Sequence, residues 1–172
     1  LQVDTINTAS GTPFISAQQF RLAAEQAGSA STGTVLTNWE EADTDYQAIG
    51  SAWSQSSGVF SCSVTGIYLC MWTLVTHDAS AGDRYDPNIQ ISVNSGTDYS
   101  IRSLCWGHTD TDNDGPIDNT ISNTLLFDVS NASAFRLRYR QSNENDIGST
   151  TTIVGHTSLS ATQITFIRLG AT

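Results

Sequence analysis

The sequence predicts an all-β sandwich led by a short N-terminal helical arm. Three observations carry this. From position 34 onward, short apolar runs alternate with turn residues. Ser and Thr replace charged residues, which form only 14% of the chain against about 25% in an average domain; Thr suits strands, and Ser suits turns and polar faces. One run, from Ile67 to Val75, is apolar at nearly every position, as in a strand buried on both faces.

Residues 1–33 read as an anchoring arm and residues 34–172 as the main domain. Within the arm, Ser16 to Gly28 reads as a helix. Ser16 caps its start, Gln19 sits three residues on, and Gly28 suits the stop. Phe20, Ala23, Ala24 and Ala27 form a narrow apolar stripe. Three helical turns are marginal alone, so Phe20, Leu22, Ala23 and Ala27 are the candidate anchoring residues. Residues 28–33 read as a linker.

The first clear strand runs from Val59 to Val64, with Phe60, Cys62 and Val64 on one side. Gly66 separates it from the long apolar run. A hairpin follows, with strands at 88–93 and 99–106 about the turn Asn94-Ser95-Gly96. Further strands are expected near 121–128, 134–141, 150–155 and 162–169. Strands this short and closely spaced make a sandwich or barrel.

The run at 67–75 has Tyr68, Cys70, Trp72 and Leu74 on one face and Ile67, Leu69, Met71 and Val75 on the other. One set fills the core. The other needs a cover: a second copy of the chain, a loop, or the N-terminal helix. The last strand, with Phe166, shows the same pattern more weakly.

Charge narrows the partners. Seventeen acidic residues face seven basic ones, all Arg, for a net charge of −10. Such a surface repels phosphate backbones and anionic bilayers, so neither nucleic acid nor membrane is an expected partner. Cys62, Cys70 and Cys105 are odd in number and lie in no metal-binding spacing. They read as small buried apolar residues of a chain folded in a reducing cytoplasm.

The block Val35-Leu-Thr-Asn38, Tyr46, and Gly58-Val-Phe-Ser-Cys-Ser-Val-Thr-Gly66 leading into Ile67-Tyr68 resembles the globular-head domain of the complement and tumour-necrosis-factor superfamily. The resemblance covers residues 34–170. It implies a ten-stranded jelly-roll sandwich, tight homotrimers and no enzymatic activity. Val3-Asp-Thr-Ile-Asn-Thr-Ala-Ser-Gly11 is similar to openings of structural proteins from tailed phages, notably cyanophages. Together the two resemblances imply a homotrimeric virion-surface protein that decorates a phage capsid and contacts other virion proteins. A tail or head fibre that binds a host receptor, and a secreted complement-like recognition module, are the rival expectations.

Two motifs are candidate sites. Asp110, Asp112 and Asp114, with Gly115, space carboxylates as in a calcium loop. Ile121 stands where the bidentate Glu would be, and the rival reading is a solvated acidic turn. Arg136, Arg138 and Arg140 share one face of a strand whose other face is Phe135, Leu137 and Tyr139. The resembled fold implies that this strand faces the trimer axis. The trimer interface is therefore expected at Ile67, Leu69, Met71, Arg136, Arg138, Arg140 and Phe166. The rivals for the arginines are a solubilising strand face and a site for an anionic ligand. No nucleophile elbow, metalloprotease motif or phosphate loop occurs, and His77, His108 and His156 are dispersed. No enzyme is expected.

Overall fold

The computed structural model describes residues 16–28, 33–43, 46–78, 84–108, 117–141 and 151–172. Their elements are β1 (Ser16–Leu22), β2 (Gln26–Ala27), β3 (Thr34–Val35), β4 (Trp39–Glu41), β5 (Trp53–Ser56), β6 (Val59–Cys62), β7 (Gly66–Asp78), β8 (Arg84–Tyr85), β9 (Asn88–Ser92), β10 (Ser100–Leu104), β11 (Gly107–His108), β12 (Ile117–Val129), β13 (Arg136–Gln141), β14 (Thr151–Ile153) and β15 (Gln163–Gly170). The described residues thus form fifteen strands, several of only two residues, rather than the ten expected, and no helix.

Two sheets pack face to face. The first has the order β2-β14-β7-β15-β1-β4, with β12 along the other side of β7. The second runs β10-β9-β13-β6-β5, with β3 added to the end of β13. A small β8–β11 ladder completes the set. All pairings are antiparallel. Every long strand predicted from 59 onward is present, and β12 is longer than expected.

The core is aromatic. Phe20, Tyr68, Trp72, Ile164 and Phe166 come from the first sheet; Trp53, Phe60, Ile89, Leu137 and Tyr139 come from the second. Trp53 stacks on Phe166 with centroids 4.0 Å apart, and Phe20 meets Phe60 edge-on at 5.2 Å. Such offset or edge contacts add to the area buried. Cys62 and Cys70 are buried and Cys105 is partly buried; all three are free thiols.

The helix expected from Ser16 is instead β1, hydrogen-bonded between β15 and β4. Phe20 is 3% exposed and Leu22 fully buried in this chain's own core, so neither can anchor to another molecule. Ala23 and Ala27 lie at the strand ends, where Ala27 pairs with Thr152. The apolar positions Phe20, Ala23, Ala24 and Ala27 mimic a helical stripe, but the true period is two. Ser16, Gln18, Phe20 and Leu22 point inward. Gln18 is tolerated there because its amide bonds the Trp53 backbone.

The β5–β6 hairpin turns on Ser57 and Gly58, both with positive φ (49° and 81°). This is the two-residue turn whose twist matches the flanking strands. A Cβ on Gly58 would sit 2.4 Å from the Leu36 carbonyl oxygen, so only glycine fits.

Candidate functional site

β7 is an interior strand of the first sheet, between β12 on one side and β14 and β15 on the other, and it alternates as its sequence requires. Tyr68, Cys70, Trp72 and Leu74 are buried, while Ile67, Leu69, Val75 and, most exposed, Met71 face out. The register across the sheet aligns further apolar residues beside them. Leu69 pairs with Leu126 on β12 and Ile167 on β15. Ile167 pairs with Ala17 on β1, and Ala17 bridges to Ile49. Leu126, Leu69, Ile167, Ala17 and Ile49 therefore form one apolar row across the outer face. With strands spaced about 4.8 Å apart, the row is roughly 19 Å long. Leu126 is 61% exposed and Ile49 54%. Met71 and Leu169 widen the patch on either side.

Toward the other end of β7 the same face turns polar. The hydroxyls of Thr73 and Ser122 lie 2.9 Å apart, and His77 Nδ1 lies 2.7 Å from Asp118 Oδ1. The face thus presents a greasy half and a hydrogen-bonding half. A contiguous exposed apolar half of this kind suits packing against another macromolecule.

At its margin sits Arg21, whose side chain is only 1% exposed although it lies on the outer side of β1. Its Nε donates to Glu40 at 2.8 Å, and its Nη2 donates to Asp43 at 2.5 Å and to the Thr157 carbonyl. Burial alone would lower its pKa; the bonds to the two carboxylates outweigh that and raise it. Glu40 and Asp43 together clamp its guanidinium.

The structure separates the residues expected at one interface. Ile67, Leu69 and Met71 are on the outer face of the first sheet, as their alternation requires. Phe166 is not beside them: it points inward, is 1% exposed and stacks on Trp53. Arg136, Arg138 and Arg140 are on β13 in the second sheet, on the opposite outer face of the sandwich. Their strand pairs with β9, β6 and β3 and not with β7. Asp110, Asp112 and Asp114 lie outside the described residues. Among the described residues no group of three or more His, Cys, Asp or Glu is placed to hold a metal ion.

No protein-family model matches the sequence, and no curated protein matches it. Solved structures do match in fold. Murine APRIL at pH 8.5 is 12% identical with a TM-score of 0.61, over 90% of this chain and 99% of that one. Murine APRIL at pH 8.0 is 14% identical with a TM-score of 0.60 and the same coverage. Eiger TNF from S. frugiperda is 12% identical with a TM-score of 0.64, over 92% of this chain and 94% of that one. At such identities the likeness defines the fold alone: a jelly-roll sandwich of the TNF type.

Proposed function

We propose that this chain is a non-enzymatic structural module that self-associates as a homotrimer and decorates the outside of a phage particle. The observation that carries the reading is the apolar row Leu126–Leu69–Ile167–Ala17–Ile49. It lies on a sheet whose other face already fills the core. Covering an aliphatic side chain fully is worth about 1.5–3 kcal/mol, so a row left in water is a standing drive to associate. A second copy is the simplest cover, because the net charge of −10 disfavours anionic bilayers and nucleic acid. The family resemblance of the 58–68 block favours three copies over two. The similarity of residues 3–11 to phage structural proteins supports the virion setting, and the small size of the domain favours a capsid role over a fibre.

Native mass measurement of the purified chain tests the assembly. Three chain masses are expected, with a shift to one on replacing Leu69 and Leu126 together by Ser. A monomeric wild type at micromolar concentration would overturn it. Copy number per particle tests the setting: hundreds fit capsid decoration, a few dozen or fewer fit a fibre, and none removes the virion reading.

A further inference from the structure

Arg136, Arg138 and Arg140 are three of only seven basic residues in the chain. Leu137 and Tyr139 between them are fully buried, so the arginines share the outer face of the second sheet. Alternate positions of a strand are about 7 Å apart, which makes a row of roughly 14 Å. Arg136 lies between Ser92 and Ser61, Arg138 between Gln90 and Val59, and Arg140 between Asn88 and Val35.

Arg138 at the centre is held in place. Its Nε donates to Gln90 Oε1 at 2.7 Å, and Gln90 is itself only 5% exposed. The guanidinium carbon sits 4.0 Å from the centroid of the Tyr99 ring. These two contacts fix the plane of the fork and use only its Nε, leaving the two Nη groups without a hydrogen bond among the described residues. Arg136 turns Nη1 to the Ser133 and Phe135 carbonyls.

The chain has seventeen acidic residues. Yet among the described residues the ion pairs are those of Arg21 and His77, and none reaches this row. Burial lowers the Arg138 pKa, Tyr99 opposes this, and the neighbouring Arg140 lowers it further. Like charges held side by side without counter-charges favour an oxyanion brought from outside.

We infer that this row binds an acidic glycan, with a carboxylate or sulfate seated on the Nη pair of Arg138 and further acidic groups reaching Arg136 and Arg140. The field of a strongly acidic chain repels a polymer charged at every residue, as nucleic acid is. Three cations with the half-buried Ser61 hydroxyl beside Arg136 suit a sugar chain of sparse charge. The row lies in the opposite sheet from the apolar row, and the inference draws on none of that row's residues.

Binding of the purified chain to four immobilised probes tests it: keratan sulfate as the sulfated glycan, hyaluronate, with a carboxylate on every second sugar, as the carboxylated one, neutral dextran, and a single-stranded oligonucleotide. Expected are binding to keratan sulfate, hyaluronate or both, weakening as salt rises, and none to dextran. Which of the two binds identifies sulfate or carboxylate as the group read. Arg138→Gln should lose at least about tenfold in affinity with an unchanged melting temperature, and Arg138→Lys should recover only part of it, because an ammonium lacks the fork. Should Arg138→Gln fold poorly, Arg140→Gln on the same row carries the same expectation. Failure of both acidic glycans to bind, wild-type affinity in the folded variants, or equal binding of the oligonucleotide would overturn the inference. Native mass of the same samples reports the oligomer separately.

Discussion

The side-chain amide of Gln18 pairs with both backbone groups of Trp53. Its Nε2 donates to the Trp53 carbonyl at 3.1 Å, and its Oε1 accepts from the Trp53 N–H at 2.6 Å. Gln18 is on β1 in the first sheet, and Trp53 opens β5 at the edge of the second. One side chain thus does between sheets what a ladder does within one. It also seats the Trp53 ring against Phe166.

Gln18→Leu keeps the approximate volume but strands a buried N–H and a buried carbonyl. Each orphaned group costs about 1–3 kcal/mol. A loss of roughly 2–4 kcal/mol is expected in urea unfolding, read as a lower midpoint at unchanged slope. A change within about 0.5 kcal/mol would mean that the bonds contribute nothing net.

The same residue explains what could and could not be read from the sequence. β7, β12, β13 and β15 were legible because each alternates or is doubly apolar. β1 was not, because Gln18 occupies an inward position and breaks the apolar alternation. In β15, Phe166 shares its face with Arg168. A charged residue is expected to face out, which would carry Phe166 out with it. Arg168 is instead 7% exposed, with Nε donating to the Thr65 carbonyl, so the parity is reversed and Ile167 and Leu169 face solvent. The arginine row was legible as one face of a strand, but alternation does not say which sheet a strand joins. The apolar row was legible only at Leu69, since its other members come together through register between distant segments.

The turn at Ser57 and Gly58 predicts changes of opposite sign at adjacent positions. Gly58→Ala meets the Leu36 carbonyl and must hold a positive φ, so a loss of about 1–3 kcal/mol is expected. Ser57→Asn places the residue most at ease with positive φ after glycine, and a gain of a few tenths of a kcal/mol is expected. Thermal unfolding of both variants checks the pair. A destabilised Ser57→Asn would show that the turn is not of this type.

The three thiols should react in a fixed order. Thiolate is the attacking species, so a raised pKa lowers the reactive fraction at a given pH. Burial pushes Cys70 far above the ordinary range, and it pushes Cys62 up as well, against the opposing bond to Tyr68. Cys105 is only partly buried. With a disulfide reagent at about pH 8, Cys105 should label first, Cys62 slowly, and Cys70 only as the protein unfolds. Early labelling of Cys70, read by peptide mass, would mean that the core opens locally around β7.

Tyr139 offers a substitution that should improve the protein. Its ring lies stacked on Trp39 with centroids 5.8 Å apart and edge-on to Trp72 at 5.1 Å, filling the space between the sheets. Its hydroxyl is buried with no hydrogen-bond partner among the described residues. Burial first, and then the nearby Cys70 and Cys105 thiols, raise its pKa well above the ordinary value, so it stays neutral and carries a desolvated O–H. Leaving such a group unsatisfied costs about 1–3 kcal/mol, while the ring contacts do not depend on it. Tyr139→Phe keeps both aromatic contacts and removes the orphan. A gain of about 1 kcal/mol is expected, which for a chain of this length raises the melting temperature by roughly 2–4 °C. Tyr139→Leu, which sacrifices the ring contacts as well, should lower it. If Tyr139→Phe also lowers it, the hydroxyl is hydrogen-bonded in solution and the space around it is polar, which would make the middle of this sandwich less dry than its aromatic lining implies.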